Sequence, residues 1–129
     1  MAAPIEEFPD LRVSVDDVVY MPGLETPPGK PHPFVYFISI HNRSDVSLTV
    51  LARKWVVRER GGETTVVEGA GVVGQTPVIP PGQHFSYNSY HVVAREAVAN
   101  GAFFGETADG RRIFARIPEF TLKLPAKEV

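Results

Sequence analysis

Twelve prolines and eleven glycines are spread through 129 residues, and this punctuation constrains the fold more than any other feature. No stretch between them is long enough, or patterned with a 3.6-residue apolar period, to make a stable amphipathic helix. What survives is a series of short runs that alternate with a period of two. Leu11, Val13 and Val15 alternate in the first. In "FVYFISIHN", Phe34, Tyr36, Ile38 and Ile40 share one face and Val35, Phe37, Ser39 and His41 the other, as in a strand with one apolar face. "NRSD" after it is a turn built from side chains that bond local backbone. Between the first two runs lies a Pro/Gly-rich loop, Met21 to Pro33.

Two runs change phase midway. Val46, Leu48 and Val50 share one phase, and Leu51, Trp55 and Val57 the other, which predicts a bulge at Val50–Leu51. Ile113, Ala115 and Ile117 give way to Phe120, Leu122 and Leu124, with Pro118 at the switch, where an edge or a bulge can hold a proline. "RGGE" turns the third run back into "TTVVEG" as a hairpin, and "ADG" turns the last hairpin. "HFSYNSYHVV" and "AFFGET" supply further strands, separated by the polar "AREAVANG"; "VAREAVAN" has room for one helical turn. About seven strands with turn signals every ten to fifteen residues predict an all-β, antiparallel β-sandwich; a small β-barrel is the alternative.

A chain this long makes one domain and buries roughly 65 to 70% of its unfolded surface. We place that domain at residues 10–125, between a flexible N-terminal tail (1–9) and a C-terminal tail (126–129). Fifteen acidic residues outnumber thirteen basic ones, for a formal charge of −2, which is not the balance of a nucleic-acid binder. No apolar run suits a membrane span and no leader pattern is visible, so a cytoplasmic protein is expected. Without cysteine there is no thiolate nucleophile and no thiolate metal site.

Residues 34–44 (FVYFISIHNRS), 51–62 (LARKWVVRERGG), 67–89 (VEGAGVVGQTPVIPPGQHFSYNS) and 117–125 (IPEFTLKLP) together resemble the ApaG family. The discriminating string is Arg53 and Trp55, then Gly69-Ala70-Gly71-Val72-Val73-Gly74, Pro77, and Pro81-Gly82 leading to Tyr87 and Ser89. The resemblance implies a fibronectin type III-like or immunoglobulin-like sandwich. It also implies, for a bacterial family, links to cobalt resistance, magnesium efflux and diadenosine tetraphosphate metabolism, and related eukaryotic domains that serve as interaction modules. No agreed catalytic residues come with it.

Gly69, Gly71 and Gly74 have the G-x-G-x-x-G spacing of dinucleotide-binding folds. That reading needs a helix opening at the glycines, and "QTPVIPPG" follows at once. A helix-free nest of backbone amides is the remaining way to hold phosphate or a (di)nucleoside polyphosphate there, with Arg53 lending charge; otherwise the glycines serve the backbone. Among the histidines, His84 and His91 differ by an odd number, leave opposite faces of a strand and cannot share an ion. No metal site, cofactor or catalytic constellation is expected. Trp55 is expected in the inter-sheet core, with Arg53 on its face of the strand. The sequence therefore favours a non-enzymatic binding domain, with an unidentified protein partner or a second copy of the chain; the alternative is the phosphate-binding glycine loop.

Overall fold

The computed structural model describes residues 4–126. Among these residues there are nine strands: β1 (Glu6–Glu7), β2 (Leu11–Tyr20), β3 (His32–Asn42), β4 (Leu48–Glu59), β5 (Thr64–Ala70), β6 (Val78–Ile79), β7 (His84–Val93), β8 (Ala97–Thr107) and β9 (Arg112–Leu122). Seven are long and two are two-residue pieces, so the expected count holds for the long ones. One sheet has the order β1-β9-β8-β4-β5, with β6 also paired to β4; the other is β2-β3-β7. Every pairing is antiparallel except β1 with β9. The two sheets face each other as a β-sandwich.

Alternation along the strands builds the core. Phe34, Tyr36, Ile38 and Ile40 of β3 are buried against Leu48, Val50, Trp55 and Val57 of β4, Phe103 of β8, and Ile113, Ala115, Ile117 and Leu122 of β9. Both predicted phase switches are bulges. Between β4 and β8 the register shifts from Val50↔Gly105 to Ala52↔Phe104, leaving Leu51 as the extra residue. Its side chain is consequently 41% exposed instead of sharing the core face with Trp55. Between β8 and β9, Ala99 pairs with Phe120 and Gly101 with Ile117, so Asn100 alone opposes Pro118 and Glu119.

Other local expectations need revision. Residues 97–100 are the start of β8, because Ala97 and Ala99 pack into the core, and no helical turn forms there. The packed body also begins before residue 10: β1 pairs with β9 and Phe8 is buried. The C-terminal tail lies, from residue 127 on, outside the described residues, as do residues 1–3. The "NRSD" turn is closed as its side chains suggest, with Asn42 Oδ1 accepting from the Ser44 amide at 3.0 Å while Asn42 Nδ2 donates to the carbonyls of Val46 and Ile79. Among the described residues no helix is long and apolar enough to cross a membrane.

Candidate functional site

The glycine-rich segment is a compact return of the chain from β5 to β6. The Gly71 amide donates to the carbonyl of the bulged Leu51 at 2.6 Å, and Val50 donates to the Pro77 carbonyl. Val72 is fully buried and exchanges two hydrogen bonds with Gln75, at 2.7 and 3.0 Å. Val73 and Gly74 between them both have positive φ, 49° and 76°, which is the geometry of a two-residue type I′ hairpin turn. The amides of Gly71, Val72 and Gln75 are thus donated within the protein.

Each glycine has its own reason. At Gly71 φ is +70° and a Cβ would stand 2.5 Å from the Gln75 carbonyl oxygen. We expect Gly71→Ala to cost about 2–3 kcal/mol from strain and backbone clash together, read as a lowered urea midpoint; an unchanged midpoint would contradict this closure. Gly69 is the cross-strand partner of Arg53, and a Cβ there would come within 2.9 Å of the guanidinium. The open space over Gly69 lets Arg53 Nη1 reach the carbonyls of Ala70 and Gly71 at 3.0 and 3.1 Å. The structure therefore brings Arg53 together with Gly69 and Gly71, whereas Gly74 sits at the hairpin tip with no atom of the described residues within 4 Å of its would-be Cβ.

Val73 is the anomaly of this turn: a β-branched residue with positive φ, 55% exposed. Asparagine tolerates that conformation and forms the favoured Asn-Gly turn with Gly74. Val73→Asn is expected to raise stability by about 1 kcal/mol, measured as an increase in Tm; a decrease would mean that the valine makes contacts worth more than its strain.

Beside this segment the sandwich is open. The sheets close on each other where β2 packs against β9. On the opposite side β4, β5 and β7 line a cleft of about 380 Å³. Its floor is an aromatic cluster: Trp55 and His91 lie 4.7 Å apart edge-on, with Tyr36 4.8 Å from Trp55 and 4.7 Å from His91. Val57, Val67 and Val93 supply apolar wall. These residues converge because Arg53, Trp55, Val57 and Glu59 are alternate positions of one strand and share its inner face. Ser89, His91 and Val93 do the same on β7.

The two ends of the cleft differ in charge. At the Glu59 end the buried carboxylate accepts from the amides of Ala94 and Arg95, at 2.9 and 3.1 Å, and from Lys30 Nζ at 3.3 Å. Lys30 also meets Glu63 at 2.8 Å, which with Glu59 raises its pKa. At the other end Arg53 has backbone carbonyls and, among the described residues, no acidic partner. Burial pushes the pKa of His91 down to about 4, so its ring is neutral at pH 7, and burial raises that of Tyr36. His84 lies on the outer face, its ring 5.5 Å from that of His41. Among the described residues no three metal-binding side chains gather into a site.

A family model described as the ApaG domain matches residues 24–106. The chain belongs to the ApaG domain family. Protein ApaG of Aromatoleum aromaticum is 32% identical over 123 residues, covering 94% of this chain and 97% of that one. Protein ApaG of Deinococcus radiodurans is 37% identical over 117 residues, 90% and 89% of the two chains. Among solved structures, a Bordetella pertussis protein described as ApaA superposes with a TM-score of 0.82 at 29% identity, covering 96% of this chain and all of that one. A late embryogenesis abundant protein shares the fold at TM-score 0.56 and 12% identity, over 92% and 73% of the chains. The ApaG domain here is thus an all-β sandwich, in agreement with the resemblance read from Arg53, Trp55 and the glycine segment. The cleft, Lys30, Glu59 and the inward face of His91 are additions from the structure. Their signal in the sequence was the charge pair Arg53 and Glu59 on the apolar phase that also holds Trp55 and Val57.

Proposed function

We propose that this ApaG-domain protein works by binding and carries no catalytic centre, and that it takes an extended segment of a partner protein along its open side. The carrying observation is how the sheet edges are defended. Exposed strand edges invite pairing, and proteins blunt them with bulges, prolines and charges. β2 has a bulge between Val15 and Asp17 and charges at Arg12, Asp16 and Asp17. β9 has Pro118 at its bulge and Arg112, Arg116 and Glu119. These defended edges lie on the closed side. β5 and β7 flank the cleft, are regular and proline-free, and present Val66, Val67 and Tyr90 at 53%, 40% and 53% exposure.

An added strand would gain main-chain hydrogen bonds at such an edge, with alternate side chains for specificity. The link to cobalt resistance and magnesium efflux that the resemblance implies is then carried by the partner. To test the reading, peptides are selected on the wild-type protein from a random display library. Val66→Lys, which places a charge on β5 outside the cleft, is expected to weaken their binding at least tenfold, and Val19→Lys on β2 to leave it unchanged. The reverse pattern would reject the reading. A mass that doubles with concentration, and reverts in Val66→Lys, would put a second copy of the chain on this edge in place of another protein.

A further inference from the structure

Among the described residues, Trp55 Nε1 and His91 Nε2 are buried without a hydrogen-bond partner, and the two rings are neighbours in the floor of the cleft. An unsatisfied buried donor costs about 1–3 kcal/mol, so native structures keep few of them without a reason. The indole nitrogen can only donate. A neutral imidazole donates from Nε2 when its proton sits there, and hydrogen bonding to a ligand would select that tautomer. Two residues from Trp55, on the same inner face, stands Arg53, with one nitrogen committed to carbonyls and no carboxylate opposite it among the described residues. The acid of the cleft, Glu59, is at the far end of the strand and already holds two amides and Lys30.

We infer that the inter-sheet cleft is a binding site for a small organic carboxylate with an apolar body, its carboxylate at Arg53, Trp55 Nε1 and His91 Nε2 and its body against Val57, Val67 and Val93. Charge decides the head group. The only uncompensated charge lining the cleft, among the described residues, is positive. A cationic head would meet Arg53 with no free acid to offset it, and an alcohol would leave donors facing a weaker acceptor. The cleft is of the size that takes small ligands. This site goes beyond strand addition, since it uses the inner face of β4 and not the backbone edge of β5.

Trp55 is the only tryptophan in the chain, so fluorescence excited selectively at the indole, and not at the four tyrosines, reports on the site. The protein is titrated with 3-phenylpropionate, its primary amide, and 2-phenylethylamine. A saturable fluorescence change is expected with the carboxylate, weaker binding with the amide and none with the amine. Arg53→Gln should lower carboxylate affinity about tenfold or more, as for loss of a charge-assisted hydrogen bond. Because Arg53 also holds the Ala70 and Gly71 carbonyls, Val67→Phe is made in parallel. It fills the mouth from a half-exposed position and should abolish binding while Tm is retained. No saturation with any probe, equal binding of amine and carboxylate, or undiminished binding in Val67→Phe would each overturn the site. Val66→Lys leaves the carboxylate site intact, which separates its failure from failure of the edge.

Discussion

Gly101→Ala is expected to leave little or no folded protein. A Cβ on Gly101 would stand 2.0 Å from the Lys54 carbonyl oxygen and 3.2 Å from the Trp55 Cα, both backbone atoms of the neighbouring strand. Ordinary contact begins near 3.4 Å. Relief would require β8 and β4, central strands of the larger sheet, to part where Trp55 enters the core. A loss of about 4 kcal/mol or more follows, a large share of the stability of a small domain. Gly23→Ala, exposed and with no atom of the described residues within 4 Å, serves as the control and should shift stability by no more than about 0.5 kcal/mol. Urea denaturation followed by Trp55 fluorescence measures both. A Gly101→Ala midpoint equal to that of the control would mean that the strands are not in this close approach.

The second large effect is acid destabilisation through His91. Its folded pKa of about 4 lies below the ordinary 6.5 because burial disfavours the charged ring. Between those values the unfolded chain binds the proton and the folded one does not. Stability is therefore complete above pH 6.5, falls as the pH drops toward 4, and has lost roughly 3 kcal/mol by then. Asp16 acts in a lower window. Hydrogen bonds from Ser39 and then Ser14 hold its pKa below 3.8, so its contribution is present above 3.8 and is lost only as the pH falls further. His91→Phe keeps an aromatic ring against Tyr36 and Trp55 and removes the titration. Its urea midpoint should change much less between pH 6.5 and 4 than that of the wild type. Parallel curves for the two proteins would assign the acid sensitivity elsewhere.

Period-two alternation made most of this architecture legible. Phe34, Tyr36, Ile38 and Ile40 named the core face of β3, and the phase switches at Leu51 and Pro118 marked both bulges, because a strand cannot change its buried face without one. The start of β8 was less visible. Ala97 and Ala99 are small, and their burial comes from close packing of neighbouring strands, which side-chain pattern does not encode. Gly101 belongs to the same blind spot, since its need for a bare Cα arises from a strand more than forty residues away.

For the site, Arg53 and the glycines stood out by type and spacing. Their arrangement depends on which amides meet which carbonyls, and no residue spacing determines that. The open side of the sandwich is a property of sheet order. β5 and β7 become facing edges only once β2 has closed onto β9, and the aromatic floor of Tyr36, Trp55 and His91 draws on three strands. Glu59 carried the one signal that could have been followed: a carboxylate in phase with Trp55 and Val57 must find donors inside, and it finds Ala94, Arg95 and Lys30.

The most direct test of binding at the open side is amide-resolved hydrogen exchange of the protein with and without a selected peptide. Slowed exchange confined to β5 and β7, residues 64–70 and 84–93, is the predicted result. Protection gained along β2 or β9, with β5 and β7 unchanged, would contradict it and move the binding surface to the closed side.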